Sequence, residues 1–112
     1  MKVSDLKEKL GLNLFGGEQA LGREITGGYT SDLLSDVMGH ARSGDVWITL
    51  QTHKNVIAIA SLKELPAIIL VKGFRPEADM LEHASAEGIA VLGSSENTFE
   101  ISGKVYNLLQ EK

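Results

Sequence analysis

The residues in this sequence with chemistry to offer are suited to holding a small anion rather than transforming one. Lys72 and Arg75 place two positive side chains on the short glycine-containing stretch Lys72–Arg75. Ser94, Ser95, Asn97 and Thr98 bring hydroxyl and amide groups together just ahead of a helical pattern. A helix that starts there offers free backbone N–H groups and a partial positive charge, which favour an anion. His53 opens another helical stretch, and Gly27, Gly28 and Asp32 lie in a polar, glycine-containing segment. The candidate ligand-binding set is therefore Gly27, Gly28, Asp32, His53, Arg75, Ser95, Asn97 and Thr98. Arg75 is the expected anion partner, and the backbone at Ser95–Thr98 the expected cradle. The plainer alternative treats the Ser, Thr and Asn residues as helix caps and the glycines as turn residues.

Catalytic signatures are missing from the sequence. There is no G-x-x-x-x-G-K-[ST] phosphate loop, and Ser102-Gly103-Lys104 falls inside a predicted helix without a preceding strand. No G-x-G-x-x-G follows a strand, and no G-x-S-x-G nucleophile elbow occurs. The histidines His40, His53 and His83 are far apart and form no H-x-x-x-H pair, so no metal site is expected. Asp32 and Asp36 lie one helical turn apart, a spacing that serves acid–base or metal chemistry but more often a solvated face. Trp47 sits in a strand pattern, as a core or dimer contact rather than a base-stacking platform. No catalytic residue and no cofactor is expected.

Composition narrows the partners. The 11 basic residues are scattered and the net charge is -4, which disfavours a nucleic-acid backbone as ligand. The 112 residues, 43% of them hydrophobic, suit one domain with a real core. Cysteine is absent, which removes thiolate chemistry and fits a cytoplasmic protein. Met1–Leu12 is charged and amphipathic, unlike a signal peptide, and no run approaches the roughly 20 apolar residues of a membrane span.

Around these residues the chain alternates between strand and helix patterns. Val3, Leu6 and Leu10 predict a helix over 2–10, capped by Ser4 or Asp5 and stopped by Gly11. Residues 11–22 read as turns around an apolar patch at Leu12, Leu14 and Phe15, so 1–20 is an N-terminal helix and turn region. A short strand is expected at Arg23–Thr26, and a helix at Ser31–Ala41 capped by Thr30 or Ser31. Strands follow at Val46–Leu50, Ala67–Val71 and Ile89–Leu92. Helices are expected over His53–Leu62 (capped by Thr52), from Pro76 to Gly88, and from Asn97 or Thr98 onwards. The expected fold is a single α/β domain over 1–112, a mainly parallel sheet of about four strands flanked by helices. In such a sheet the loops after the strands' carboxyl ends gather on one edge. That edge would hold Gly27–Asp32, Gln51–Asn55, Lys72–Arg75 and Gly93–Thr98.

Three stretches carry a resemblance to a known family. They are Ile25 to Met38 (ITGGYTSDLLSDVM), Ile69 to Pro76 (ILVKGFRP) with the later Gly88 to Leu92, and Glu96 to Glu100 (ENTFE). Together they span roughly residues 20–110, and they resemble the DRTGG domain family. The literal Asp-Arg-Thr-Gly-Gly string is absent; Val71–Pro76 is the closest stretch by pattern, with Lys72 departing from it. Asn97 stands where relatives often carry Asp. The resemblance implies a fold like the HPr kinase N-terminal domain. It also implies a regulatory or dimerising role, as in long phosphotransacetylases and CBS-domain pyrophosphatases, without the kinase residues. The combined expectation is a non-catalytic, ligand-sensing module. It forms a homodimer, binds a small anionic metabolite or nucleotide, and acts through a partner protein not visible in the sequence. The alternative is a pure interaction subunit assembling through Trp47, Tyr29 and Phe74 without a small ligand.

Overall fold

The apolar runs become adjacent strands of one sheet. In the computed structural model, which describes residues 1–111, five strands line up in the order β1-β5-β4-β3-β2. They are β1 (Asn13–Gly16), β2 (Gly27–Thr30), β3 (Asp45–Thr49), β4 (Ala67–Leu70) and β5 (Ala90–Gly93). The helices are α1 (Val3–Leu10), α2 (Leu34–His40), α3 (Lys54–Lys63), α4 (Ala78–Glu87) and α5 (Thr98–Gln110). Strands β2 to β5 are mutually parallel, with Trp47 opposite Tyr29 and Ile68. Strand β1 runs antiparallel to β5, with a register irregularity between Leu14 and Gly16.

Strands β3, β4 and β5 are buried along their whole length because both faces are covered. Side-chain alternation sends Val46, Ile48, Ile69 and Leu92 to one face, against Val3 and Leu6 of α1 and Ile101 and Val105 of α5. It sends Trp47, Ile68, Leu70 and Val91 to the other, against Val37, Val56, Ile57, Met80 and Ala84. Crossovers of one hand stepping in one direction lay their helices on the same face. The steps from β2 to β5 therefore put α2, α3 and α4 together, and α5 returns across the opposite face.

Several element boundaries differ from expectation. The sheet has five strands, and the one not anticipated, β1, arises within the supposed turn region. The strand expected at Arg23–Thr26 lies at Gly27–Thr30 instead; only Glu24 makes an isolated bridge, to Lys2. Two glycines weaken a strand by propensity, yet at a sheet edge pairing on one side sustains them. The helix expected from Ser31 begins at Leu34, because Ser31 extends the ladder by donating its N–H to the Ile48 carbonyl (3.2 Å). Thr52 does not cap α3. His53 holds that position, and the Thr52 hydroxyl donates to Glu77 instead (3.3 Å). Pro76 precedes α4 rather than opening it, whereas Gly88 ends that helix in the left-handed conformation, as expected.

Candidate functional site

The four parallel strands finish on one edge, at Thr30, Thr49, Leu70 and Gly93. The chain leaves β4 toward one face and β5 toward the other, which opens a crevice between them in sheets of this kind. Here the crevice is bridged. Lys72 and Gly73 are both left-handed (φ 60 and 72), and their N–H groups donate to the carbonyls of Glu96 (2.8 Å) and Ser94 (2.9 Å). The loop after β4 also reaches the loop after β3, since the Glu77 N–H donates to the Thr52 carbonyl (2.9 Å). At the ends of β2 and β3, the Asp32 carboxylate accepts from the Thr49 hydroxyl (2.9 Å) and the Leu50 N–H (2.8 Å). The Gln51 amide donates to the Asp32 carbonyl (2.8 Å), and its oxygen lies 3.1 Å from His53 Nε2.

The anticipated residues fall into two groups on this edge and one outside it. Asp32 and His53 belong to the β2–β3 group, where His53 Nδ1 is buried without a hydrogen-bond partner. Arg75, Ser95, Asn97 and Thr98 belong to the β4–β5 group. Asn97 caps α5, its Oδ1 accepting from the Glu100 N–H (2.9 Å), and Thr98 is the first helical residue. Ser95 is exposed. Arg75 is exposed too, with its guanidinium carbon 5.2 Å from the centre of the Phe15 ring. Among the described residues it pairs with no carboxylate. Gly27 lies at the opposite end of the sheet, beside Asp45, because it begins β2 rather than following a strand. Gly28 lies within β2, facing Val105 of α5. Trp47 is fully buried and donates its indole N–H to the Ser31 carbonyl (2.8 Å), so it offers no surface for assembly.

The charges around the edge are mixed. Asp32, Glu77, Asp79, Glu96 and Glu100 face a cation set of Lys54, Lys72 and Arg75 on the same loops and first turns. Lys104 pairs with Glu96 at 2.6 Å and offsets one of these carboxylates. Lys72 and Arg75, on the loop after β4, and Lys54, in the first turn of α3, form no ion pair among the described residues.

Two features escaped sequence reasoning. Phe15, the platform under Arg75, comes from the unforeseen β1. It packs so closely over Gly93 that any side chain there would strike the ring. A groove also runs between β2 and α5, lined by Gly28, Thr30, Ile48, Ser102, Tyr106 and Leu109 among others. The helical spacing of Ser102, Tyr106 and Leu109 was the available signal, but the strand under them lay four residues from its expected start. The Thr30 and Ser102 hydroxyls meet there at 2.8 Å. Among the described residues no group of three or more His, Asp or Glu could hold a metal ion, and no helix is long and apolar enough to cross a membrane.

No curated protein matches the sequence. Among solved structures, the chain is similar to the CBS and DRTGG domains of the regulatory region of Clostridium perfringens pyrophosphatase, crystallised with its activator, diadenosine tetraphosphate. The superposition has a TM-score of 0.70 at 15% identity, covering 91% of this chain and 44% of that one. The likeness establishes a shared fold, and this chain spans less than half the length of that regulatory region. The sequence itself matches the DRTGG domain over residues 6–108, and the chain belongs to the DRTGG domain family.

Proposed function

We propose that this chain is a non-catalytic regulatory module of the cytoplasm that senses a small anionic metabolite or nucleotide and acts, as a homodimer, through a partner protein. The observation that carries this reading is Arg75. It stands at the strand-end edge without a carboxylate partner among the described residues, steadied over Phe15 and two positions beyond the bridged Lys72–Gly73 turn. A guanidinium without a carboxylate partner suits bidentate contact with phosphate or carboxylate. Ser95, the first turn of α5 at Asn97–Thr98 and, farther along the edge, His53 and Asp32 complete the proposed contact set. Gly27 and Gly28, which lie in β2, stand outside this set. The regulatory setting of the C. perfringens domains, crystallised with a nucleotide activator, supports the same direction.

The test is a thermal-shift and calorimetric titration with ATP, ADP, acetyl phosphate and diadenosine tetraphosphate. Binding by at least one is expected, weakened about tenfold or more by Arg75→Ala, the scale of a lost charge-assisted hydrogen bond. Absence of any shift at millimolar ligand overturns the reading. It then favours an interaction subunit without a small ligand, for which the 45% exposure of Phe74 is the specific support.

A further inference from the structure

The two edges of the sheet are finished differently. Edge strand β1 carries the Leu14–Gly16 irregularity and runs straight into the left-handed Gly17, devices that discourage further pairing. Edge strand β2 has no such protection: Gly27-Gly28-Tyr29-Thr30 contains no charge, proline or bulge. Ser31 donates inward to β3, so by alternation Tyr29 also faces β3, while the N–H and C=O groups of Gly28 and Thr30 point outward. Both residues are exposed.

Apolar surface flanks this open edge on both faces. Tyr106 (65% exposed) and half-buried Leu109 rise beside it on α5, over the groove at Gly28. Leu33 (63% exposed) and Met38 (39% exposed) stand on the other face, around the outermost helix α2.

We propose that β2 is the interface for a second copy of this chain, the two β2 strands pairing antiparallel about a two-fold axis between their Tyr29 residues. This deepens the dimer named above and does not depend on the Arg75 ligand site, which lies at the β4–β5 side of the sheet. The register follows from the outward groups: Gly28 of each copy pairs with Thr30 of the other, giving four hydrogen bonds across the junction. A strand pairs antiparallel with its own copy without further design, since such an interface is isologous. Four residues of strand are too few to hold an extended peptide firmly. A stable interface buries about 800 Å² on each partner, which requires flanking helices. A second copy brings those helices, with α5 against α5 over the Gly28 groove and α2 against α2 across Leu33 and Met38.

Sedimentation equilibrium of the intact chain from low to high micromolar concentration tests the pairing. A dimer is expected, with Thr30→Pro and, separately, the surface change Tyr106→Lys each raising its dissociation constant about tenfold or more. Thr30→Pro removes two of the four donors without touching the bonds to β3. Because the chain contains no cysteine, Tyr29→Cys should oxidise to a cross-linked dimer, whereas Leu62→Cys on α3 should not. Directly opposed residues at a non-hydrogen-bonded antiparallel site have Cα atoms about 4.5 Å apart, within disulfide reach. A monomer throughout the range overturns the proposal. So does a dimer that survives both Thr30→Pro and Tyr106→Lys. A nucleotide shift retained by a monomeric, folded Thr30→Pro variant separates failure of this pairing from failure of the ligand reading.

Discussion

The phenol of Tyr29 donates a hydrogen bond of 2.9 Å to Asp36 Oδ2, tying the edge strand β2 to the helix that follows it. That bond, with one from Ser31 and, more weakly, the neighbouring His40, lowers the Asp36 carboxyl from its ordinary value, while burial opposes the shift. The same bond, with burial and the repulsion of the carboxylate, pushes the Tyr29 phenol up. A carboxyl whose folded pKa is depressed contributes stability that is present above its unfolded value and lost as pH falls through the folded value. A phenol whose folded pKa is raised contributes stability present below its unfolded value and lost as pH rises through the folded one. Denaturant midpoints should therefore decline on the acid side below about pH 4, and again above about pH 10. Asp36→Asn should flatten the acid decline and Tyr29→Phe the alkaline one. An acid limb unchanged in Asp36→Asn would show that the carboxylate does not contribute.

Asp32 does structural work whatever else it does. Its carboxylate accepts from Thr49, whose side chain is fully buried, and from the Leu50 N–H. Asp32→Ala leaves the buried hydroxyl and the amide without that acceptor, which costs about 1–3 kcal/mol. Asp32→Asn keeps an acceptor oxygen and should cost less. Urea unfolding followed by Trp47 fluorescence measures both. Equal losses in the two variants would count against the hydrogen bonds as the cause.

The sequence was most readable where the apolar pattern was continuous. Val46–Leu50, Ala67–Val71 and Ile89–Leu92 read as strands from their apolar runs, which a sheet covered on both faces requires, and each lies within a residue of its actual bounds. What escaped depended on long-range pairing. Leu14 and Phe15 sit between glycines, and only the antiparallel contact with β5 makes them a strand. Gly27 and Gly28 looked like a turn because their propensity is poor, yet pairing with Asp45 and Val46 carries them into the sheet. The strand-end edge was legible as a set of loops. Its internal bridging was not, since the bonds from Lys72 and Gly73 to Glu96 and Ser94 span more than twenty residues of chain.

The sequence allows either Asn97 or Thr98 as the cap of the last helix, and the geometry decides for Asn97. Its Oδ1 satisfies the Glu100 N–H, one of the donors a helix start leaves unpaired. Asn97→Ala should cost about 1 kcal/mol, and Thr98→Ala, already inside the helix, should cost less. Thermal denaturation of the pair separates them, and a larger loss at Thr98 would contradict the assignment. Because Asn97 also borders the proposed ligand edge, Asn97→Asp is the informative companion. It keeps the cap while adding negative charge, so it should preserve stability and weaken anion binding.

Glu64 ends α3 in the left-handed conformation at φ 59, a position where a side chain is ordinarily unfavourable. Its N–H still closes the helix by bonding the carbonyls of Ala60 and Ser61, and its carbonyl accepts from Gly44 (3.1 Å). The backbone bonds therefore hold the conformation, and the exposed carboxylate makes no ion pair among the described residues. Replacing it by glycine relieves roughly 1–2 kcal/mol of left-handed strain. The added freedom of the unfolded chain takes back about 0.4–1 kcal/mol. Glu64→Gly should accordingly stabilise the protein by about 0.5–1 kcal/mol, readable as a rise of a few degrees in Tm for a domain of this size. Glu64→Ala keeps the strain and should not share the gain. If both variants raise Tm equally, removal of the carboxylate is the cause rather than backbone relief.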